Sequence, residues 1–235
     1  MRSFSISEIL DRAWKLTTEK GMALVVVALV IELIQYVISS IFSPAVDQNA
    51  LIEAFQEQDW NTIMSLYSAN PLGTILSSII EAVLMLGLIN CALQMAKDRT
   101  SSVSFDHWKQ DTNVYLNYVV IKIVVSWITL IGLALCILPG LYLSARLQFA
   151  ELRAIDHPEE SFMDHIKESW KMTEGNVLNL IGLSIVECII MIIGLAMCCI
   201  GVVPASIVCY FAEIVAYLIL SGWYERPQEQ SEVVA

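Results

Sequence analysis

The sequence predicts an all-α protein: a polytopic membrane helix bundle with six transmembrane helices, arranged as three parallel-repeat hairpins with interfacial amphipathic helices on the cytoplasmic side. Three observations lead there. Of 235 residues, 57% are apolar and only 16% charged, against about 45–50% and about a quarter in soluble domains. The apolar residues are grouped in blocks that reach the ~20 residues needed to cross a bilayer. The chain also matches itself when shifted by 62 residues. This composition excludes a soluble enzyme and a secreted disulfide scaffold. Thirteen basic against 24 acidic residues give a net charge of −11, the wrong sign for a phosphate backbone, so no nucleic-acid partner is expected.

The first span runs from about Gly21 to Phe42, the second from Leu72 to Ala96 and the third from Val114 to Leu138. The fourth, Gly140 to Ile155, is interrupted by Arg146, Gln148, Glu151 and Arg153. The fifth is Val177 to Ile200 and the sixth Val202 to Leu220. Pro71, Pro139 and Pro204 fall at the starts of the even helices, where a missing N–H costs little. The first 20 residues carry Glu8, Asp11, Arg12, Lys15, Glu19 and Lys20, which no cleavable signal core tolerates, so the first span is expected to be its own insertion signal.

Orientation follows from Lys and Arg in the short loops. Arg2, Arg12, Lys15 and Lys20 precede the first span, and Lys97, Arg99 and Lys109 separate the second from the third. Arg153, Lys167 and Lys171 lie between the fourth and fifth, and Arg226 follows the sixth, whereas Ser43–Asn70 holds no basic residue. One topology satisfies every loop charge, with both termini cytoplasmic. It requires the fourth span, because without it Lys167 and Lys171 would lie outside. Trp108, Tyr115, Trp223 and Tyr224 fall at span ends, where amphipathic rings favour the headgroup level. The expected organisation is a single membrane domain over 1–225, with repeat units of about 1–99, 100–156 and 157–221 and an outer loop at 43–70. A solvated, flexible cytoplasmic tail at 226–235 follows. Within the loop, Leu51–Phe55 and Ile63–Tyr67 are short amphipathic pieces that either lie on the membrane or form a lid.

The repeat is the most informative feature. Trp108–Ala154 aligns with Trp170–Ala216 without a gap, with 17 identities in 47 positions. Trp108-Lys109 falls on Trp170-Lys171, the I-G-L-A-x-C run at Ile131 falls on that at Ile193, and Phe149-Ala150-Glu151 falls on Phe211-Ala212-Glu213. A looser third copy opens the chain: Ser5–Thr17 matches Ser161–Thr173, sharing W-K-[LM]-T and the serine nine residues before Trp. One deletion later, Glu32 falls opposite Glu187. Each unit therefore reads as an amphipathic helix, an outgoing span, a turn and a returning span. Ser5 with Glu8, and Ser161 with Asp164, are placed for a capping box or its Asp variant. Ile6, Ile9, Leu10, Ala13 and Trp14, and likewise Phe162, Met163, Ile166 and Trp170, recur at helical spacing and are expected to lie on the inner leaflet. Two spans per unit make the repeats parallel, unlike the inverted repeats of many alternating-access carriers.

These segments, with Pro139-Gly140 and the glycine-bearing fifth span ahead of Pro204, resemble a family of small bacterial six-span membrane proteins. The chain is also similar to the membrane domain fused to some glycerophosphodiester phosphodiesterases. The resemblance leaves out the Ser43–Asn70 loop. It implies a multi-pass protein of the bacterial inner membrane and supplies no catalytic residues, because the phosphodiesterase's soluble catalytic barrel has no counterpart here.

Seven ionisable residues fall inside spans: Glu32, Glu81, Lys122, Arg146, Glu151, Glu187 and Glu213. A charge near midplane costs at least ~2.5–3.5 kcal/mol, so each is expected to face the bundle interior, paired or protonated. They form either a proton or cation path or polar pocket, or a structural set in which Lys122 and Arg146 neutralise two glutamates. Arg146 and Lys122 are expected to meet Glu151, Glu187 or Glu213. Asp106-His107, Asp156-His157 and Asp164-His165 pair every histidine with an aspartate, but without the spacing of a metal motif. Cys91, Cys136, Cys188, Cys198, Cys199 and Cys209 lie in apolar segments like packing residues. No catalytic residue, metal or cofactor is expected. The functional expectation is a non-enzymatic membrane accessory or scaffold whose partners are membrane lipids, another membrane protein or the chain itself. A small transporter or proton/ion pathway is the alternative, followed by a lipid-active intramembrane enzyme.

Overall fold

The computed structural model describes residues 4–42, 48–67, 71–100, 102–135, 137–197 and 201–225, and among them every regular element is helical. The expected tail at 226–235 and Cys136, Cys198 and Cys199 lie outside the described residues. Five helical segments are long and apolar enough to cross a membrane: Ile6–Ile41, Ile75–Ala96, Thr112–Gly132, Val177–Ala196 and Val202–Ser221. By that length and composition the chain is a multi-pass α-helical membrane protein. It divides into two compact units, Ala28–Met85 and the combination of Met1–Val27 with Leu86–Ala235.

The smaller unit contains most of α2 (Met22–Phe42), α3 (Gln48–Gln56), α4 (Trp60–Tyr67) and the first part of α5 (Pro71–Ala96). Both amphipathic pieces of the loop are thus helical, and α3 packs on α4. Gln58 adopts a left-handed φ of 55° to turn the chain between them. Asp59 then closes the start of α4: its Oδ1 accepts the Asn61 and Thr62 amides at 3.1 and 3.2 Å, and Oδ2 the Thr62 hydroxyl at 2.6 Å. Free N–H groups of a first turn are satisfied in this way, and the bonds hold the Asp59 carboxyl below its usual range.

In the larger unit, α1 (Ile6–Leu16) continues through a π-helical turn at Thr17–Gly21 into α2. The Thr17 hydroxyl donates to the Ala13 carbonyl at 2.8 Å. Gly21 is required there, since a Cβ would lie 2.7 Å from Cε2 of Phe211 on α11 (Val202–Ser221). The amphipathic stripe of α1 buries Ile9 and Ala13, and α1 packs on α11. Its counterpart α9 (Phe162–Met172) buries His165 and Ser169 and packs on α8 (Ala150–Asp156) and α7 (Ile137–Leu147). Neither serine at these starts caps a backbone amide. Ser5 bonds the Ser7 hydroxyl at 2.7 Å, and Ser161 donates to the Asp164 carboxylate at 2.6 Å.

Two helix pairs complete the unit, α6 (Thr112–Leu135) with α7, and α10 (Val177–Ala196) with α11. The same positions are buried in both. Tyr118, Ile121, Phe149, Ala150, Leu152 and Ala154 have counterparts 62 residues on in Leu180, Leu183, Phe211, Ala212, Ile214 and Ala216, all buried. Each pair closes on an equivalent glycine. A Cβ on Gly132 would lie 2.9 Å from Cα of Gly140, and one on Gly194 would lie 2.8 Å from both the Ala205 Cβ and the Gly201 carbonyl oxygen.

The pairs differ in their returning limb. α11 is continuous, whereas the expected fourth span is split into α7 and α8 by a turn at Gln148–Phe149. The Arg146 carbonyl accepts the Ser169 hydroxyl of α9 at 2.9 Å and the Thr173 hydroxyl at 3.4 Å. Hydroxyls inserted at a helical carbonyl displace the backbone ladder, an identifiable cause of a break.

Candidate functional site

Of the seven intramembrane charges, Glu32 and Glu81 belong to the smaller unit, and both are exposed. The other five lie in the larger unit. Glu151 lies within electrostatic reach of Lys122 and beside Tyr118, both on α6. Glu213 on α11 lies within reach of Glu151, and Glu187 on α10 within reach of Glu213. Three carboxyls from three helices thus act on one another in succession, Glu187 with Glu213 and Glu213 with Glu151, and Lys122 acts on Glu151. Glu187 Oε1 has no hydrogen-bond partner.

Arg146 is buried, 6% exposed, and among the described residues its partners are aromatic rings and a hydroxyl where a carboxylate was expected. Its guanidinium carbon sits 4.3 Å from the Trp170 ring centroid and 5.7 Å from that of Tyr142. Nη1 donates to the Thr173 hydroxyl at 3.4 Å, and Nε has no partner. Arginine is weakly hydrated and stacks well on aromatic faces, so α9 satisfies it with an indole instead of a carboxylate. W-K-x-T spacing signals this, since Trp170 and Thr173 are three apart on α9 and share a face.

A second constellation gathers where α5, α8 and α11 end. Lys97 forms an ion pair with Asp156, their side chains 2% and 10% exposed. The other Asp156 oxygen accepts the Tyr217 hydroxyl at 2.8 Å. The Trp223 ring lies beneath both Lys97 Nζ, at 4.4 Å, and the Arg99 guanidinium, at 4.9 Å. Beside this knot is a cavity of about 820 Å³ whose lining includes Lys97, Arg99, Arg153, Lys171, His157 and Trp223. Sequence reading placed these residues in loops or at span ends but did not bring them together; they lie in separate segments, and no spacing links them.

The three histidines differ in setting. The His107 carbonyl accepts the Asn90 amide at 3.1 Å, close to where the Trp108 indole packs on Gly87. His157 Nδ1 lies 3.3 Å from Glu159 Oε1, and Nε2 lies 3.6 Å from Asp156 Oδ2. His165 is fully buried, neither ring nitrogen is hydrogen-bonded, and Nδ1 is 3.7 Å from Glu160 Oε2. Burial holds the His165 pKa down; Glu160 opposes the shift, while Arg153 and His157 add to it. Arg153 grips Glu160 with two bonds, Nε to Oε2 at 2.9 Å and Nη2 to Oε1 at 2.5 Å. His157, Glu159 and Glu160 each offer a ligand atom within 4.8 Å of the others. The Glu159 carboxyl is held below its usual range by its own backbone amide, then by His157. Comparisons of the chain with protein-family models, with curated proteins and with solved structures find no match.

Proposed function

We propose that this is a six-span protein of the bacterial inner membrane, non-enzymatic, with both termini in the cytoplasm, acting as an accessory or scaffold through membrane lipids or a protein partner. The sixth crossing is the limb formed by α7 and α8. Together with their turn they cover residues 137–156, which at ~1.5 Å per residue is about one hydrocarbon thickness. The equivalent burial in α6–α8 and α10–α11 supports reading them as parallel-repeat hairpins. This architecture accords with the resemblance to small bacterial six-span proteins. Reporter fusions after Asp156 and at Ala235 should read cytoplasmic, and one near Asn49 external. An external signal at Asp156 removes the sixth crossing.

The cavity of about 820 Å³ carries the functional reading. In the proposed topology it opens at the cytoplasmic headgroup level; Asp156, Glu168 and Glu174 also line it, and with Lys97 and Arg153 ion-paired, Arg99 beside the Trp223 indole and Lys171 are the cations it offers to an anionic lipid headgroup. After gentle detergent extraction, mass spectrometry should find anionic phospholipid retained, and Arg99→Glu with Lys171→Glu should abolish retention. Equal retention by the variant overturns the assignment to this cavity.

The carboxyl row favours a second reading, a proton or cation pathway through Glu187, Glu213 and Glu151. Proteoliposomes with an internal pH dye test it directly. Proton or cation flux that is lost in Glu213→Gln while the fold stays intact would replace the accessory reading.

A further inference from the structure

We infer that His157, Glu159, Glu160 and His165 form a binding site for a divalent transition metal at the corner between α8 and α9. The site shares His157 with the lining of the cavity above, but it does not rest on the lipid reading. The first three residues place their ligand atoms within 4.8 Å of one another. The fourth observation is separate: His165 has no exposed surface, both ring nitrogens lack hydrogen bonds, and Nδ1 points at Glu160 from 3.7 Å. That distance is too long for a hydrogen bond and suitable for two ligands of one ion. His165 stands next to that set of three and adjoins it through Glu160, and with metal–ligand distances of about 2.1 Å their 3.7 Å separation subtends roughly 124°.

Packing does not require the buried imidazole. In the matching α1 helix, the position of His165 is taken by Ile9, also fully buried. Residues Met1, Ser3 and Phe4 stand where His157, Glu159 and Glu160 would fall in that copy, so the donor set belongs to this corner alone. An unpartnered buried polar group is costly unless something satisfies it. Arg153 uses one lone pair on each Glu160 oxygen and leaves the others available. It thereby orients the carboxylate as outer-shell partners of metal ligands do. Two imidazoles with two carboxylates suit borderline ions such as Zn²⁺, Fe²⁺ or Mn²⁺.

The test uses the full-length protein in detergent, stripped with EDTA, freed of chelator and titrated with Co²⁺. Wild-type protein and His107→Ala should bind one Co²⁺ per chain, with the intense visible bands of a tetrahedral ion, and Zn²⁺ should displace it. His165→Ile copies the residue of α1. Glu159→Gln changes an exposed loop carboxylate and leaves the core untouched. Each should weaken Co²⁺ binding about tenfold or more. Absence of stoichiometric Co²⁺ in the wild type overturns the site. So does unchanged affinity in both variants, or an equal loss in His107→Ala.

Discussion

α1 and α9 bury the same three positions in successive turns, Ile9, Ala13 and Thr17 in one and His165, Ser169 and Thr173 in the other. In α1 the stripe is mostly apolar, and its threonine bonds only its own helix. In α9 it is polar throughout, and the Ser169 hydroxyl reaches the Arg146 carbonyl of α7 at 2.9 Å, while Thr173, like Thr17, has its nearest acceptor one turn back on its own helix, at 2.9 Å. The repeat sets which positions are buried, and the departures from it show where chemistry has been added. The paired hairpins teach the same lesson. Glu151 and Glu213 are equivalent, but Arg146 and Asp156 stand where the other copy has Val208 and Leu218, all four of them buried or nearly so. Exchanging residues between copies therefore separates packing from added function.

The largest effect is expected from Asp156→Leu, which copies Leu218. It removes the carboxylate of Lys97 in a site where the two side chains are 2% and 10% exposed. Breaking a buried pair by removing one member costs roughly 3–5 kcal/mol, whereas replacing both with apolar groups is often neutral. Asp156→Leu should lower thermal stability in detergent sharply, and adding Lys97→Met should restore most of the loss. If the double variant is no better than the single, the pair does not act as a unit.

Closure of the hairpins comes next. Gly132→Val and Gly194→Val each press a side chain into the returning helix, at a cost typical of overpacking, about 1–3 kcal/mol. Similar losses in unfolding titrations would sharpen the equivalence of the two hairpins. A silent substitution at one glycine would break it.

A smaller contrast lies in the hydroxyls. Ser169→Ala removes the stronger bond to the carbonyl at the α7–α8 break and should cost about 1 kcal/mol, the net worth of a typical hydrogen bond. Thr17→Ala removes a bond within one helix, whose carbonyl keeps its backbone partner, and should cost less. Equal costs would show that the hydroxyls from α9 do not hold the break.

Much of this was legible in the chain because bilayer physics is legible. Span length and first-turn prolines follow from hydrocarbon thickness and backbone satisfaction: five helical segments are long and apolar enough to cross, and Pro71, Pro139 and Pro204 all lie within first turns. The partners of the charges were less legible. Arg146 invited a carboxylate by charge alone, yet the indole of Trp170, 24 residues further along the chain, covers it. At the break at Gln148–Phe149 the Arg146 carbonyl is bonded by the Ser169 hydroxyl of another helix, which no local propensity encodes. Lys97, Asp156, Tyr217 and Trp223 meet only because three helices end together.

The smallest effect is confined to acidic pH and separates His165 from Ile9. Burial lowers the pKa of His165 from the ordinary histidine value of 6.5, so the folded protein takes up this proton less readily than the unfolded chain. Between the two pKa values the unfolded chain binds more protons, and stability falls as pH falls. The contribution of the neutral imidazole is fully present above pH 6.5 and declines as pH drops through that value. His165→Ile abolishes the titration while keeping the buried apolar volume that Ile9 supplies in α1. Thermal unfolding of both proteins in EDTA, from about pH 8 to about pH 5, spans the range in which an unperturbed histidine changes charge. Subtracting one profile from the other cancels the carboxylates common to both. The difference should be flat above pH 6.5 and turn against the wild type below it. Glu160→Gln should enlarge that acidic loss, because Glu160 is the main group favouring the protonated ring. A flat difference across the whole range would mean that the imidazole is hydrated in solution, and that α9 does not seal its stripe against α8 as α1 does against α11.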